Sequence, residues 1–302
     1  MKVFVTGVCG QLGHDVMNEL CKRGYEGIGT DIAPVYTGVQ DAVASMPYIP
    51  LDITDGASVE QLVCAVQPDV IVHCAAWTAV DLAEEAENIA KVRAVNVTGT
   101  QNIVNACKKL NCKMIYISTD YVFNGQGERP WEPDCKNYAP LSVYGQTKLE
   151  GELAVANTLE KYFIVRIAWV FGLNGKNFIK TMLNVGKKYD TVRVVCDQIG
   201  TPTYTLDLSR LLVDMAETEK YGYYHATNEG GYISWYDFTC EIFRQAGYTT
   251  NVVPVTTADY GLSKAARPFN SRLDKVKLAA NGFEPLPTWQ DALSRYLKEI
   301  EV

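Results

Sequence analysis

Tyr144 and Lys148 stand four residues apart in "YGQTKLEGE". If that stretch is helical, the two side chains share one face, one turn apart. Reducing a ketone needs a hydride delivered to carbon and a proton delivered to oxygen, and a phenol, with an unperturbed pKa of about 10, is a sluggish acid at neutral pH. A neighbouring ammonium stabilises tyrosinate, so this spacing predicts a phenol whose pKa is lowered enough to give and recover a proton. Lys148 can also hold the ribose of a nicotinamide cofactor. Thr119 closes the apolar run "KMIYISTD", at the C-terminal edge of a strand where open α/β sheets place their sites, and its hydroxyl can serve the substrate oxygen. By itself Y-x-x-x-K is common on helices and reads more readily as a half-buried tyrosine beside a solvated lysine. What precedes it in the chain decides between the two.

What precedes it is a glycine loop. "VFVTGVCGQLG" sets Gly7, Gly10 and Gly13 directly after the first strand and before a helix, with Gln11 and Leu12 in the turn between them. Gly7 permits the tight turn, Gly10 lets backbone approach a pyrophosphate, and Gly13 allows close helix packing, while the helix N-terminus offers free N–H groups and a positive dipole end. The second strand ends "GIGTD", so Asp31 falls 18 residues beyond Gly13 (31 − 13). There an acidic side chain can accept hydrogen bonds from the adenosine ribose, and its charge repels a 2′-phosphate. The other reading of Asp31 is an exposed carboxylate opening a loop before Pro34. In "IPLDITD", Asp52, with Ile53 beside it, either hydrogen-bonds the adenine edge or caps a helix starting near Ala57. Ala75 and Ala76, after the fourth strand, are small enough for a cofactor to pack on backbone. His73 reads as a satisfied strand residue rather than a catalyst.

The elements that must position these residues alternate. "KVFVTG", "YEGIGTD", "DVIVHCAA" and "KMIYISTD" are short β-branched runs, separated by helical patterns such as "LGHDVMNELCKRG" and "ENIAKVRAVNVTGTQNIVNACKKL". Near-continuous apolar strands in βαβ alternation predict a Rossmann-type α/β fold, a doubly wound parallel sheet with helices on both faces. We expect a dinucleotide-binding domain over residues 1–170 and a smaller substrate-binding domain over 171–302, some of whose segments return to the sheet. A helix starting near Tyr144 leads to the strand "FIVRIAWVFG".

Composition removes whole classes of function. A formal charge of −7 argues against nucleic acid as a main partner, since that needs a basic surface, and an anionic substrate would need a local exception. No run reaches the roughly 18 apolar residues of a membrane helix, and the N-terminus breaks into glycines before a signal-peptide core can form. The expectation is a cytoplasmic protein whose nine cysteines, with no CxxC pair, are reduced and mostly buried. No cluster stands at metal-ligand spacing, so no required metal is expected.

With these residues in hand, the chain resembles the extended short-chain dehydrogenase/reductases and, within them, the RmlD-like family of dTDP-4-dehydrorhamnose reductases. The Tyr-Lys motif specifies only the superfamily. "STDYVF", "DQIGTPT" and "ARPFNS", in that order, are far more specific. The resemblance implies reduction of the 4-keto group of dTDP-6-deoxy-L-lyxo-4-hexulose to dTDP-L-rhamnose with NADPH or NADH. Thr119, Tyr144 and Lys148 would be the catalytic set, and Asp120, Tyr121 and Trp169 would line the sugar pocket, although Trp169 also reads as a core residue. Arg267 is the local cation for the diphosphate, or else merely pairs with an acidic neighbour. One departure is Asn124, where the family commonly has an acidic residue. Some relatives are said to place a metal between subunits, and a homodimer is an assembly the resemblance allows. Two alternatives stand beside this reading. One is a non-catalytic NAD(P)-binding subunit, similar to a regulatory subunit of methionine adenosyltransferase. The other is a different nucleotide-sugar reductase or epimerase.

Overall fold

A computed structural model describes residues 1–39 and 46–302 of the chain. Seven strands form one parallel sheet: β1 (Lys2–Thr6), β2 (Glu26–Asp31), β3 (Tyr48–Pro50), β4 (Val70–His73), β5 (Lys113–Thr119), β6 (Tyr162–Ile167) and β7 (Gly222–His225), in spatial order β7-β6-β5-β4-β1-β2-β3. The order reverses between β1 and β4, the switch point at which a doubly wound sheet opens a crevice at its C-terminal edge. The expected fold class is therefore the observed one.

Both faces are covered, which is why the strands are apolar on both sides. On one face α1 (Gln11–Lys22) brings Leu12, Val16 and Leu20 against Leu208, Leu211 and Leu212 of the helix Thr205–Ala216. On the other, α2 (Gly56–Val66), α3 (Thr100–Leu110) and α4 (Val143–Thr158) supply Val59, Val63, Ile103, Val104 and Val155 to a core shared with Phe4, Ile71 and Tyr116. A separate apolar cluster lies beyond the sheet, where Phe171, Tyr204, Phe238, Trp289 and Tyr296 pack among helices drawn from the last 130 or so residues. Two segments of that half join the sheet unit: Thr205–Ala216 packs on α1, and β7 pairs with β6.

The nine cysteines are all free. Among the described residues no helix is long and apolar enough to cross a membrane, and no three His, Cys, Asp or Glu side chains are grouped as metal ligands.

Candidate active site

The turn after β1 is built on Gly7, whose φ of +74° an L side chain rarely adopts. A Cβ there would also lie 2.7 Å from the Ala75 nitrogen, so Gly7 is what lets the loop pass the end of β4. A Cβ on Gly13 would come within 2.3 Å of the Gly7 carbonyl, so close helix packing is realised there. Gly10 differs: its Cβ would meet only the Gly7 carbonyl, at 3.2 Å, leaving its outer side open for a ligand to approach backbone. Gly10 precedes the first residue of α1 and, having no side chain, leaves the first N–H groups of the helix without a side-chain cap. The N-terminal N–H groups of α1 thus face the same opening, and the loop fits a dinucleotide pyrophosphate.

Asp31 ends β2 and accepts from the Cys9 nitrogen at 2.9 Å, so its carboxylate already braces the glycine loop. Ala75 and Ala76 are half-buried after β4, and Ile53 is buried. His73 is a satisfied strand residue: its Nδ1 pairs with Thr6 Oγ1 at 2.8 Å and its Nε2 with Thr100 Oγ1 at 3.1 Å. Burial holds it neutral, with its pKa pushed down to about 3. The alternative reading of Asp52 as a helix cap is corrected. Asp55 caps α2 by accepting from Ala57 and Ser58, whereas Asp52 accepts from the nitrogen and hydroxyl of Thr54. The reason is reach, since an N-cap side chain serves donors two and three residues on, and three residues separate Asp52 from Asp55 (55 − 52).

Helix α4 carries Tyr144 and Lys148 on one face. Ser142 starts it by accepting from the Gly145 nitrogen at 3.1 Å, and Glu84, from a different segment, accepts from the Val143 nitrogen at 2.7 Å. Two glycines let the helix approach the sheet: a Cβ on Gly145 would stand 2.4 Å from the Tyr121 carbonyl, and one on Gly151 2.2 Å from the Tyr116 hydroxyl. The phenol of Tyr144 is thereby carried to the end of β5, edge-on to Tyr121 with ring centroids 5.5 Å apart. Thr119 lies there, buried, donating to Asp120 Oδ1 at 3.0 Å and accepting from the Tyr121 nitrogen at 3.3 Å.

The expected electrostatics are corrected. Burial, reinforced by the Asp120 carboxylate, pushes the Tyr144 phenol well above its ordinary pKa, with the Thr119 hydroxyl opposing. Lys148 is not among the groups that counter this, and its ammonium lies over the Tyr116 ring, 4.2 Å from the centroid. Burial also drives Lys148 down to about 7, opposed by the Glu152 carboxylate and the Cys74 thiol. A one-turn spacing places two side chains on a face, but the medium between them sets their acidity, and here it is protein interior rather than water. Asp120 is raised to about 6 by burial, against the pull of hydrogen bonds from Ser271 and Thr119.

Tyr121 is half-buried beside Tyr144. Trp169 has φ of +51°, unusual for a non-glycine residue, and its ring stacks on Trp235 with centroids 3.6 Å apart. The indole fits because the backbone beside it is Gly200, where a Cβ would come 2.9 Å from Trp169 Cε2. Arg267 grips Asp81 in a two-bond fork at 3.0 and 2.6 Å, the acidic pairing that the sequence left open. Asp81 also accepts from the backbone nitrogens of Lys264 and Ala265, tying "KAAR" to the helix Val80–Ala83. Asn124 accepts from the Gln126 nitrogen at 2.9 Å, a turn-making bond that an acidic side chain could also make.

Sequence reasoning missed three neighbours: Ser271, whose hydroxyl hydrogen-bonds Asp120; Asp81; and Trp235. "ARPFNS" and "TAVD" held the first two in view as motif text, but no spacing rule connects positions 186 residues apart, as Asp81 and Arg267 are.

The chain and its fold have counterparts among known proteins. The RmlD substrate binding domain family matches residues 1–302. A dTDP-4-dehydrorhamnose reductase of Streptomyces griseus is 40% identical over 96% of this chain and 91% of its own length. A crystal structure of a dTDP-4-dehydrorhamnose reductase from Clostridium acetobutylicum superposes with a TM-score of 0.89 at 37% identity, covering 100% of both chains. That of the Bacillus anthracis reductase, in complex with NADP, gives 0.88 at 38% identity, covering 99% of this chain and 100% of that one. The chain therefore belongs to the RmlD-like family of dTDP-4-dehydrorhamnose reductases, within the extended short-chain dehydrogenase/reductases.

Proposed function

We propose that this enzyme reduces the 4-keto group of dTDP-6-deoxy-L-lyxo-4-hexulose to give dTDP-L-rhamnose, with NADPH or NADH as reductant. The observation that supports the reading is that Thr119 ends β5 and the helix carrying Tyr144 and Lys148 on one face packs beside it at the C-terminal edge of the sheet, across β4 from the open glycine loop. The reduced nicotinamide supplies the hydride. Gly7, Gly10, Gln11, Leu12 and Gly13 would hold its pyrophosphate, and Asp31, Asp52, Ile53, Ala75 and Ala76 its adenosine side. Tyr144 donates the proton to the sugar oxygen. Thr119 orients that oxygen, and Lys148, buried without a carboxylate partner among the described residues, awaits the cofactor ribose. Asp120, Tyr121 and Trp169 line the sugar side, and Arg267 meets the diphosphate.

All three catalytic groups come from one chain, so the chemistry needs no second copy, whether or not a homodimer forms. Nine free thiols suit a reducing cytoplasm. A non-catalytic binding role is not favoured, because a scaffold has no need of a lysine buried without an ion-pair partner among the described residues, one turn from a half-buried phenol.

The test is oxidation of NADPH and of NADH with a panel of nucleotide-linked 4-keto sugars, with product analysis. Oxidation that depends on the dTDP-4-keto-L-lyxo sugar and yields dTDP-L-rhamnose is expected. Tight cofactor binding with no turnover on any of the sugars would leave only the binding role, and net turnover on a different sugar would move the assignment to that substrate.

A further inference from the structure

Among the described residues, the largest side chain fully removed from solvent is a charged one, Arg166 on β6. Its Nε and Nη2 each reach a different oxygen of Glu152 at 2.8 Å, and Glu152 is equally buried. Nη1 donates to the Pro133 carbonyl at 3.0 Å and approaches His225 Nε2 at 3.4 Å, while Nη2 also donates to the Tyr138 hydroxyl at 3.2 Å. The guanidinium faces the rings of Tyr223 and Phe123 at 4.8 and 5.0 Å. One residue thus joins α4, β6, β7, the loop holding Pro133 and Tyr138, and the segment that leaves Thr119.

Such a pair is a poor device for stability. Both charges lose their hydration, and apolar side chains of similar volume often serve a core equally well or better. What a guanidinium fork adds is direction, because its donors lie in one rigid plane and accept only one arrangement of partners. Glu152 follows Tyr144 and Lys148 at four-residue steps on the same helix face, and Phe123 closes the turn that begins at Thr119. Rotation of α4 would therefore move Tyr144 and Glu152 together. Trp131 extends the contact by stacking on Phe123, with centroids 4.4 Å apart, and bonding to the Asn270 carbonyl, next to Ser271.

We infer that Arg166 and Glu152 are a positioning pair that fixes the rotation of α4 against β6 and the Thr119 segment, and so holds the Tyr144 phenol and the Lys148 ammonium in register with Thr119. Neither residue is catalytic. The inference rests on the reductase reading above, since turnover is its readout.

A second readout follows from charge. The groups facing Lys148 are His73 and Cys74 from the end of β4, Tyr116 from β5, and Glu152 from its own helix. Of these, the Glu152 carboxylate is the main one that favours the ammonium. Removing it lowers the Lys148 pKa further, so the loss of turnover on the alkaline side should begin at lower pH.

The experiment compares wild type, the apolar double variant Arg166→Met/Glu152→Leu, and Arg166→Lys, which keeps charge without the fork. NADPH affinity, thermal midpoint, kcat, KM for the 4-keto sugar and the pH profile of kcat are measured. The double variant should fold and bind NADPH as wild type does, yet lose roughly 10- to 100-fold in kcat, the scale of a small misplacement of reacting groups. Its alkaline limb should move to lower pH, because the lost attraction of Glu152, the carboxylate that acts on Lys148, exceeds the lost repulsion of Arg166. Arg166→Lys should lose kcat without that displacement, because Glu152 remains. A double variant with wild-type kcat and pH profile overturns the inference, and so does failure of both variants to fold, which would make the pair structural. Wild type without turnover on the sugar would sink the reductase reading instead.

Discussion

Two buried cations, Arg166 and Lys148, lie near Glu152, and the protein treats them in opposite ways. Arg166 is fully enclosed and saturated: two bonds to a carboxylate, bonds to a carbonyl and a hydroxyl, and aromatic faces around it. Its pKa is held above the ordinary arginine value by Glu152, against its burial. Lys148 is almost as deeply buried but has an aromatic ring for company and no ion pair among the described residues, and its pKa falls to about 7. A charge that serves the fold is neutralised by the fold. A charge left costly and unpaired is being kept for something the chain does not itself contain. The pair also shows why spacing misleads about acidity: Tyr144 and Lys148 have the predicted placement, but burial dominates both.

The largest expected effect tests the functional side of this contrast. Tyr144→Phe removes the proposed proton donor and nothing of the cofactor loop, so kcat should fall by about 10²–10⁴-fold while NADPH binding stays close to wild type. A variant retaining more than half of wild-type kcat would remove the phenol from the mechanism.

Lys148→Met sharpens the contrast from the stability side. The folded pKa of Lys148, about 7, lies below its ordinary 10.5. Between those values the unfolded chain binds more protons, so the lysine costs the cofactor-free protein stability at neutral pH, and that cost fades as pH rises toward 10.5. Lys148→Met should therefore unfold at a higher temperature than wild type at pH 7, with the gain shrinking at alkaline pH, while activity collapses. Calorimetry at the two pH values decides it, and a midpoint lowered at pH 7 would show that the ammonium is paired in solution.

Arg267 is a third cation, intermediate between the two. It is paired, but with a partly exposed carboxylate, a kind of pair worth about 1 kcal/mol or less. Arg267→Ala should thus move the thermal midpoint by at most a few degrees. Loss of a charge-assisted bond to the diphosphate should raise KM for the nucleotide sugar roughly tenfold to a hundredfold, with KM for NADPH little changed. A large drop in midpoint with KM for the sugar unchanged would place Arg267 beside Arg166, as a structural cation.

The smallest effect concerns Asp31, the anion at the end of β2 proposed to meet the adenosine ribose. Its carboxylate already holds the Cys9 nitrogen, so Asp31→Ala should weaken both reductants modestly and shift kcat/KM toward NADPH by several-fold. Wild type that strongly prefers NADPH would detach Asp31 from the ribose.

Much of this fold was legible because its signals are local. Apolar runs of strand length between helical patterns specify a parallel sheet covered on both faces, and Gly7 and Gly13 sit where backbone conformation and van der Waals contact leave room for no side chain. The helix expected to start near Tyr144 does so, and the four-residue step from Tyr144 to Lys148 fixes their shared face. These follow from periods and caps that operate within a few residues.

Tertiary structure alone decided the partners and the charges. Nothing in "TAVD" says that Asp81 will receive Arg267, nothing in "ARPFNS" that Ser271 will reach Asp120, and nothing in "KLEGE" or "VRIAW" that Glu152 and Arg166 will enclose each other. Sequence determines which groups are ionisable and which share a helix face. Whether a buried ammonium finds a carboxylate or a ring depends on chain segments folded together from far apart, and the low-polarity interior they create then sets its pKa.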